Sequence, residues 1–235
     1  MQAIGSFLAA YWLPLVIIAV VSYLLGSISF AIIVTKAFTK TDIRSYGSGN
    51  AGATNVLRSQ GKLPAILTTV GDLAKSCGAA LLGWWILHLA TGNDATTLPP
   101  EQLRLIGMYL AGVCCMLGHM YPIFFGFRGG KGVLTTLGMM LILDWRVALL
   151  CLGVFMVVVL CSRMVSLGSI CAAVALVILT GVFRTAVDGY SAHTAVFCTV
   201  MAAGIAALLI LKHIPNIKRI LNGTESKLSF GKKEK

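Results

Sequence analysis

The chain has 235 residues, 57% of them hydrophobic and only 11% charged, with a mean hydropathy of +0.88. A soluble globular domain carries about 25% charged residues, so this composition excludes one and reads as an all-α integral membrane protein. The formal net charge of +11 would suggest nucleic acid in a soluble chain; among apolar spans it points instead to membrane topology and an anionic ligand.

A bilayer core about 30 Å thick takes about 20 apolar residues per crossing. Taken in chain order, apolar runs cover 12–38, 63–90, 103–125, 133–143, 147–161, 165–183 and 194–211. The piece 133–143 reaches only about 16 Å at helical rise, so it is either extended by the loop before it or a half-helix. The runs predict about seven transmembrane helices in one domain, 1–235, with a basic tail from about residue 214. The first charge is Lys36, after the first run, so no basic n-region of a signal peptide precedes it.

The cations are one-sided. Fifteen of the 19 fall in or beside alternate connections: Lys36, Lys40, Arg44, Arg58 and Lys62, then Arg128 and Lys131, then Arg163, then Lys212 and the tail. The other connections hold Arg104, Arg146 and Arg184 with Asp94, Glu101, Asp144 and Asp188. The positive-inside rule places the rich side in the cytoplasm. The N-terminus is then outside and the C-terminus cytoplasmic, which seven crossings satisfy.

All seven cysteines lie in apolar segments without C-x-x-C or metal-ligand spacing, so they read as small packing residues. No internal repeat is visible, which speaks against an inverted-repeat transporter.

Three cytoplasmic segments carry chemistry. The first, SYGSGNAGATNVLRSQGK, sets Gly47, Gly49, Gly52 and Gly61 among Ser48, Asn50, Thr54, Asn55 and Arg58. A flexible linker needs no such amides. Glycines let backbone N–H groups approach an anion, Ser, Thr and Asn add neutral donors, and Arg58 adds a fork suited to phosphate.

The second, GHMYPIFFGFRGGKGVLTT, holds Arg128, Gly129, Gly130, Lys131 and Gly132. Its glycine amides and Lys131 suit a phosphate, and a helix starting near Gly132 would aim its N-terminus there. It is not a Walker A loop. Phe125 stands where that motif needs Gly, and Gly132 where it needs Ser or Thr. The third, KHIPNIKRILNGTE, places His213 and Asn216 one helical turn apart and adds Arg219. Lys218, Arg219 and the tail also suit anionic headgroups.

No Asp/Glu pair for acid–base work and no acidic metal cage occurs in these loops. Asp72 and Lys75, at i and i+3 inside the second run, form either a proton path or an ion pair that orders the bundle. His119, before Pro122, either holds the glycine-rich loop or acts on substrate. His88 and His193 read as interfacial residues on the outer side.

With these blocks in this order, the chain resembles the bacterial acyl-phosphate-dependent glycerol-3-phosphate acyltransferases, the PlsY family. The match runs over nearly the whole chain through GSGNAGATNVLR, GHMYPIFFGFRGGKGV and KHIPNIKRILNGTE. The resemblance implies a multi-pass enzyme of the bacterial inner membrane, with its active site on the cytoplasmic side. It would make lysophosphatidic acid and inorganic phosphate from acyl phosphate and glycerol 3-phosphate. This would be the first acylation of phospholipid synthesis, with no metal or other cofactor. The chain is expected to act as a monomer, and its apolar spans speak against a nucleic acid partner.

It implies catalytic roles for Ser48, Arg58, Lys131, His213 and Asn216. Gly49, Asn50, Gly52, Thr54, Asn55, His119, Arg128, Gly129, Gly130, Gly132 and Arg219 would bind substrate. Arg128 stands where the family usually has Lys, Lys212 where it has Arg, Leu134 where Ala is common and Ile220 where Leu is common. The base is either His213 or a phosphate oxygen of the substrate. A transporter for a phosphorylated metabolite would use similar cationic loops. The H-x-x-x-x-D pattern of acyl-CoA-dependent enzymes is absent, since the four histidines are followed at the fifth position by Asn93, Phe124, Cys198 and Lys218.

Overall fold

The computed structural model describes residues 2–92, 98 and 100–228. Asp94 and the tail residues Lys232, Lys233 and Lys235 therefore lie outside the described residues. Among the described residues every regular element is a helix. Among the described residues six helical stretches are long and apolar enough to cross a membrane. The chain divides into two compact units, 1–145 and 146–235.

The first unit opens with α1 (Gln2–Gly26), which contains Pro14; Tyr11 leaves helical geometry three residues earlier, where proline displaces the preceding turn. The long apolar run 12–38 predicts one helix, but the structure breaks it. Helix α1 stops at Gly26, Ser27–Ser29 turns, and α2 (Phe30–Thr39) resumes. The physical reason is a buried cation: Lys75 Nζ donates to the carbonyls of Gly26 at 3.0 Å and Ile28 at 2.7 Å, and a continuous helix would have kept those carbonyls for its own ladder.

After a short 3₁₀ turn at Ile43–Ser45 come α3 (Ala53–Gln60), α4 (Lys62–Thr91), α5 (Pro100–Met120) and α6 (Val133–Leu143). Helix α5 packs against α1, α4 and α6. At the α4–α5 crossing, a Cβ on Gly83 would strike the carbonyl of Gly107, and one on Gly107 the carbonyl of Gly83. Small residues here let the backbones touch, as membrane helices do when lipid offers no hydrophobic drive. Tyr109, Met108, Met116 and Met139 are fully buried, whereas Trp12, Leu63, Ile66, Val70 and Trp85 are exposed, as lipid-facing positions are. The third apolar run ends as helix at Met120 rather than 125, because Pro122 follows; Ile123–Phe125 forms a 3₁₀ turn.

The second unit holds α7 (Trp145–Ser162), α8 (Val165–Val182), a π turn at Phe183–Val187, α9 (Ala192–Lys212) and α10 (Ile214–Leu221). Arg163 takes a left-handed φ of 60° between α7 and α8. Ser162 Oγ accepts from Met164 N at 3.1 Å and caps the bend. At the other end Asp188 pairs with Arg146 and Arg184, each at 2.8 Å.

Candidate active site

In the first unit the Ser45–Lys62 segment is organised by Asn55. Buried in the first turn of α3, its Nδ2 donates to the carbonyls of Tyr46 (2.9 Å), Asn50 (3.1 Å) and Ile43 (3.3 Å), and its Oδ1 accepts from Ser48 N (3.1 Å). The amide is thus engaged with its own loop. Asn55 shapes the loop rather than projecting a donor from it. Gly47, at φ 54°, lies so close to Asn55 Oδ1 that a Cβ would collide with it. Ser48 and Gly49 are exposed at the loop's tip, Asn50, Gly52 and Thr54 are half-buried, and Arg58 is exposed on the last turn of α3.

The glycine-rich loop folds back on the end of α5. Gly129 N donates to the carbonyl of Met120 at 3.3 Å and Gly130 N to that of His119 at 3.1 Å. Two amides that the sequence offers to an anion therefore face protein carbonyls. Gly132, at φ 89°, caps α6, as the sequence predicts for a helix start there. Lys131 is half-buried just before it, and Arg128 is exposed.

The two loops meet. A Cβ on Gly130 would strike both the ring of His119 and the carbonyl of Ala51. Arg44 adds a second tie. It donates to the carbonyls of Phe125 (2.6 Å) and Arg128 (3.3 Å) while its Nη2 holds Asp42 at 2.8 Å. The side-chain hydrogen bonds from Arg44 keep the Asp42 carboxyl below its ordinary range. Sequence reasoning counted Arg44 only as an inside cation; the Asp42-x-Arg44 spacing was the available signal.

Beneath Gly130 lies a buried polar group. Lys75 Nζ is 2.9 Å from Asp72 and 3.1 Å from His119 Nδ1. The i, i+3 ion pair expected from the sequence is present, and it extends to His119.

In the second unit, α9 ends at Lys212 and α10 starts at Ile214 with Pro215 in its first turn, where proline is at home. His213 is buried in the joint, and its Nδ1 donates to the carbonyl of Leu209 at 2.8 Å. The neutral ring then carries its lone pair on Nε2. Asn216 N donates to the carbonyl of His213 at 2.9 Å. Asn216 Nδ2 and Ser166 Oγ both donate to Glu225 Oε1, and Arg219 Nε to Oε2, each at 2.7 Å.

Burial alone would raise the Glu225 carboxyl, but these three donors outweigh it and hold it below its ordinary value. Arg219, expected to face substrate, is thus paired with Glu225. Glu225 and Ser166 were not foreseen as parts of this corner. A lone Glu at the end of a cationic segment was the signal.

Comparison with known proteins defines the class as a membrane acyltransferase. A family model described as glycerol-3-phosphate acyltransferase matches residues 16–223. The chain belongs to this glycerol-3-phosphate acyltransferase (PlsY) family and is a multi-pass membrane protein.

A glycerol-3-phosphate acyltransferase of Clostridioides difficile (strain 630) is 41% identical over 213 residues, 91% of this chain and 95% of that one. One from Laribacter hongkongensis is 39% identical over 215 residues, covering 91% and 96%. The crystal structure of PlsY (YgiH), an integral membrane glycerol 3-phosphate acyltransferase, in its glycerol 3-phosphate form matches with TM-score 0.74 and 37% identity, over 92% of this chain and 96% of that one. Its lysophosphatidic acid form matches at 0.72.

Proposed function

We propose that this protein transfers an acyl group from acyl phosphate to the sn-1 hydroxyl of glycerol 3-phosphate, releasing lysophosphatidic acid and inorganic phosphate. The observation that carries the reading is the seam between two glycine loops, where the carbonyl of Ala51 and the ring of His119 bracket Gly130, next to Lys131. Ser48 stands three positions before Ala51, Arg58 is exposed on the last turn of α3, and the Asp42 carboxylate is held by Arg44. Relatives whose structures hold glycerol 3-phosphate and lysophosphatidic acid support the acceptor and the product.

An acyl phosphate is already activated, so the protein needs to orient and to stabilise charge rather than to create a strong nucleophile. The glycerol hydroxyl oxygen bonds to the carbonyl carbon. The bond from that carbon to the bridging oxygen breaks, and phosphate leaves with the electron pair. The hydroxyl proton goes either to His213 Nε2 or to a phosphate oxygen of the substrate, and the family resemblance favours the phosphate. In this reading Lys131, Ser48 and the glycine-rich loop hold the acyl phosphate; Arg58, His213 and Asn216 hold glycerol 3-phosphate.

The one-sided cations support an N-terminus outside, a cytoplasmic C-terminus and active site, and seven crossings in the inner membrane. The short α6 with its loop would make the seventh. We read the protein as a monomer.

The test is to mix the purified protein in detergent with palmitoyl phosphate and glycerol 3-phosphate, and to measure phosphate and lysophosphatidic acid together. Equal amounts, formed only with both substrates, support the reading. Product from acyl-CoA alone would overturn the donor. Uptake of glycerol 3-phosphate into vesicles without chemistry would replace the enzyme with a transporter.

A further inference from the structure

Lys75 is 4% exposed in the middle of α4, with four acceptors around one ammonium. Three lie on hydrogen-bond paths: Gly26 O at 3.0 Å, Ile28 O at 2.7 Å and His119 Nδ1 at 3.1 Å. An ammonium has three protons and no lone pair, so it can only donate to its neighbours. Asp72 Oδ1, at 2.9 Å, faces the ammonium as a counter-charge. Its oxygens are buried with no hydrogen-bond partner among the described residues, and His119 Nδ1 is 3.5 Å away.

His119 Nδ1 must then accept, which puts the proton of the neutral ring on Nε2. That nitrogen lies against Gly130, on the side where the Ala51 carbonyl also approaches. Residue 130 immediately precedes Lys131, and Ala51 stands three positions after Ser48.

We infer that Asp72 and Lys75 are positioning residues that fix His119 as its Nε2–H tautomer, so that the ring sets the seam between the two glycine loops and with it the placement of Lys131. The role as a catalytic aid rests on the acyltransferase reading; the ring assignment does not. Burying a charge pair in a membrane bundle is an expensive way to pack two helices, but a fixed donor direction is something no apolar pair supplies. The broken end of α1 completes the device, because its two carbonyls fix the ammonium from the side of Gly26 and Ile28.

The experiment uses the full chain in detergent with ¹⁵N-labelled histidine. The chain has four histidines, and His119→Gln identifies which signal belongs to His119. The expected spectrum shows His119 with Nδ1 bare and Nε2 protonated. A double variant, Asp72→Asn with Lys75→Met, removes both charges together and so leaves no orphan charge.

In the double variant the single-tautomer signature should be lost. The kcat should fall by about 100-fold, the penalty of slight misplacement, with KM for glycerol 3-phosphate changing far less. His119→Gln, whose amide nitrogen stands near Nε2, should retain more activity than His119→Asn, whose amide stands near Nδ1.

A wild-type ring protonated on Nδ1 overturns the inference, and so does a folded double variant with unchanged tautomer or unchanged kcat. A protein with the Nε2–H ring but no acyl transfer from acyl phosphate instead overturns the proposed function, leaving the ring assignment standing on the spectrum.

Discussion

The Nη1 of Arg44 donates to the carbonyl oxygen of Phe125 at 2.6 Å, across 81 positions of sequence. The same guanidinium holds Asp42 through Nε and Nη2. One planar fork therefore ties the entry to the first glycine loop to the entry of the second. Lysine keeps the charge but has no fork. Arg44→Lys should behave more like Arg44→Ala than like wild type, each losing about 1.5–3 kcal/mol of local stabilisation typical of charge-assisted hydrogen bonds. Thermal unfolding in detergent and kcat measured together check this. A lysine variant equal to wild type would remove the clamp from the account.

Gly130→Ala should be damaging for a reason of space. The added carbon meets the His119 ring and the backbone oxygen of Ala51, and overpacking costs about 1–3 kcal/mol. Gly204→Ala, in α9 with nothing within 4 Å of its Cβ, should be neutral or stabilising, since alanine is the better helix former by about 1 kcal/mol. Paired unfolding midpoints and turnover of the two variants decide it. Equal tolerance at both positions would contradict the seam.

If Lys131 partners the leaving phosphate as proposed, Lys131→Ala should lower turnover by about two orders of magnitude or more while the protein still folds. Lys227→Ala, an exposed tail position, should stay within about twofold of wild type if it only meets lipid headgroups. Near-normal turnover of the Lys131 variant would remove that residue from the site. The tail residue Lys232 lies outside the described residues.

Acid should act on the second unit through Glu225. Its folded carboxyl titrates below its ordinary value of 4.5. The stabilisation is complete above the unfolded value and is lost as pH falls through the lower, folded one. Unfolding midpoints should therefore show no Glu225 contribution to slope between about pH 7 and 5 and a decline only in stronger acid. Glu225→Gln should flatten that acid limb. Asp42, lowered by Arg44, adds a limb of the same sign in the first unit. A Glu225→Gln protein that keeps the wild-type acid limb would show that this carboxylate is not the titrating group.

Much of the fold was legible because lipid enforces a simple rule: apolar length becomes helix. The runs at 63–90 and 194–211 became α4 and α9 within two residues at each end. The break at Ser27–Ser29 was not legible, since its cause is a lysine 47 positions further on. The site divided along the same line. Glycines at positive φ, such as Gly47, Gly49 and Gly132, announce themselves in a sequence. What Asn55 and Arg219 do with their donors depends on partners that spacing does not reveal, and both turned to groups within their own units.

The broken end of α1 also bears on how the chain enters a bilayer. A lysine in a span raises the free energy of insertion by roughly 2.5–3.5 kcal/mol. Its two carbonyl partners lie 47 and 49 positions earlier, so a ribosome releases the acceptors well before the cation they will receive. Asp72 follows, one turn ahead of Lys75. The lysine thus arrives at a place already furnished for it, and the order of synthesis matches the order in which the charge needs its neighbours.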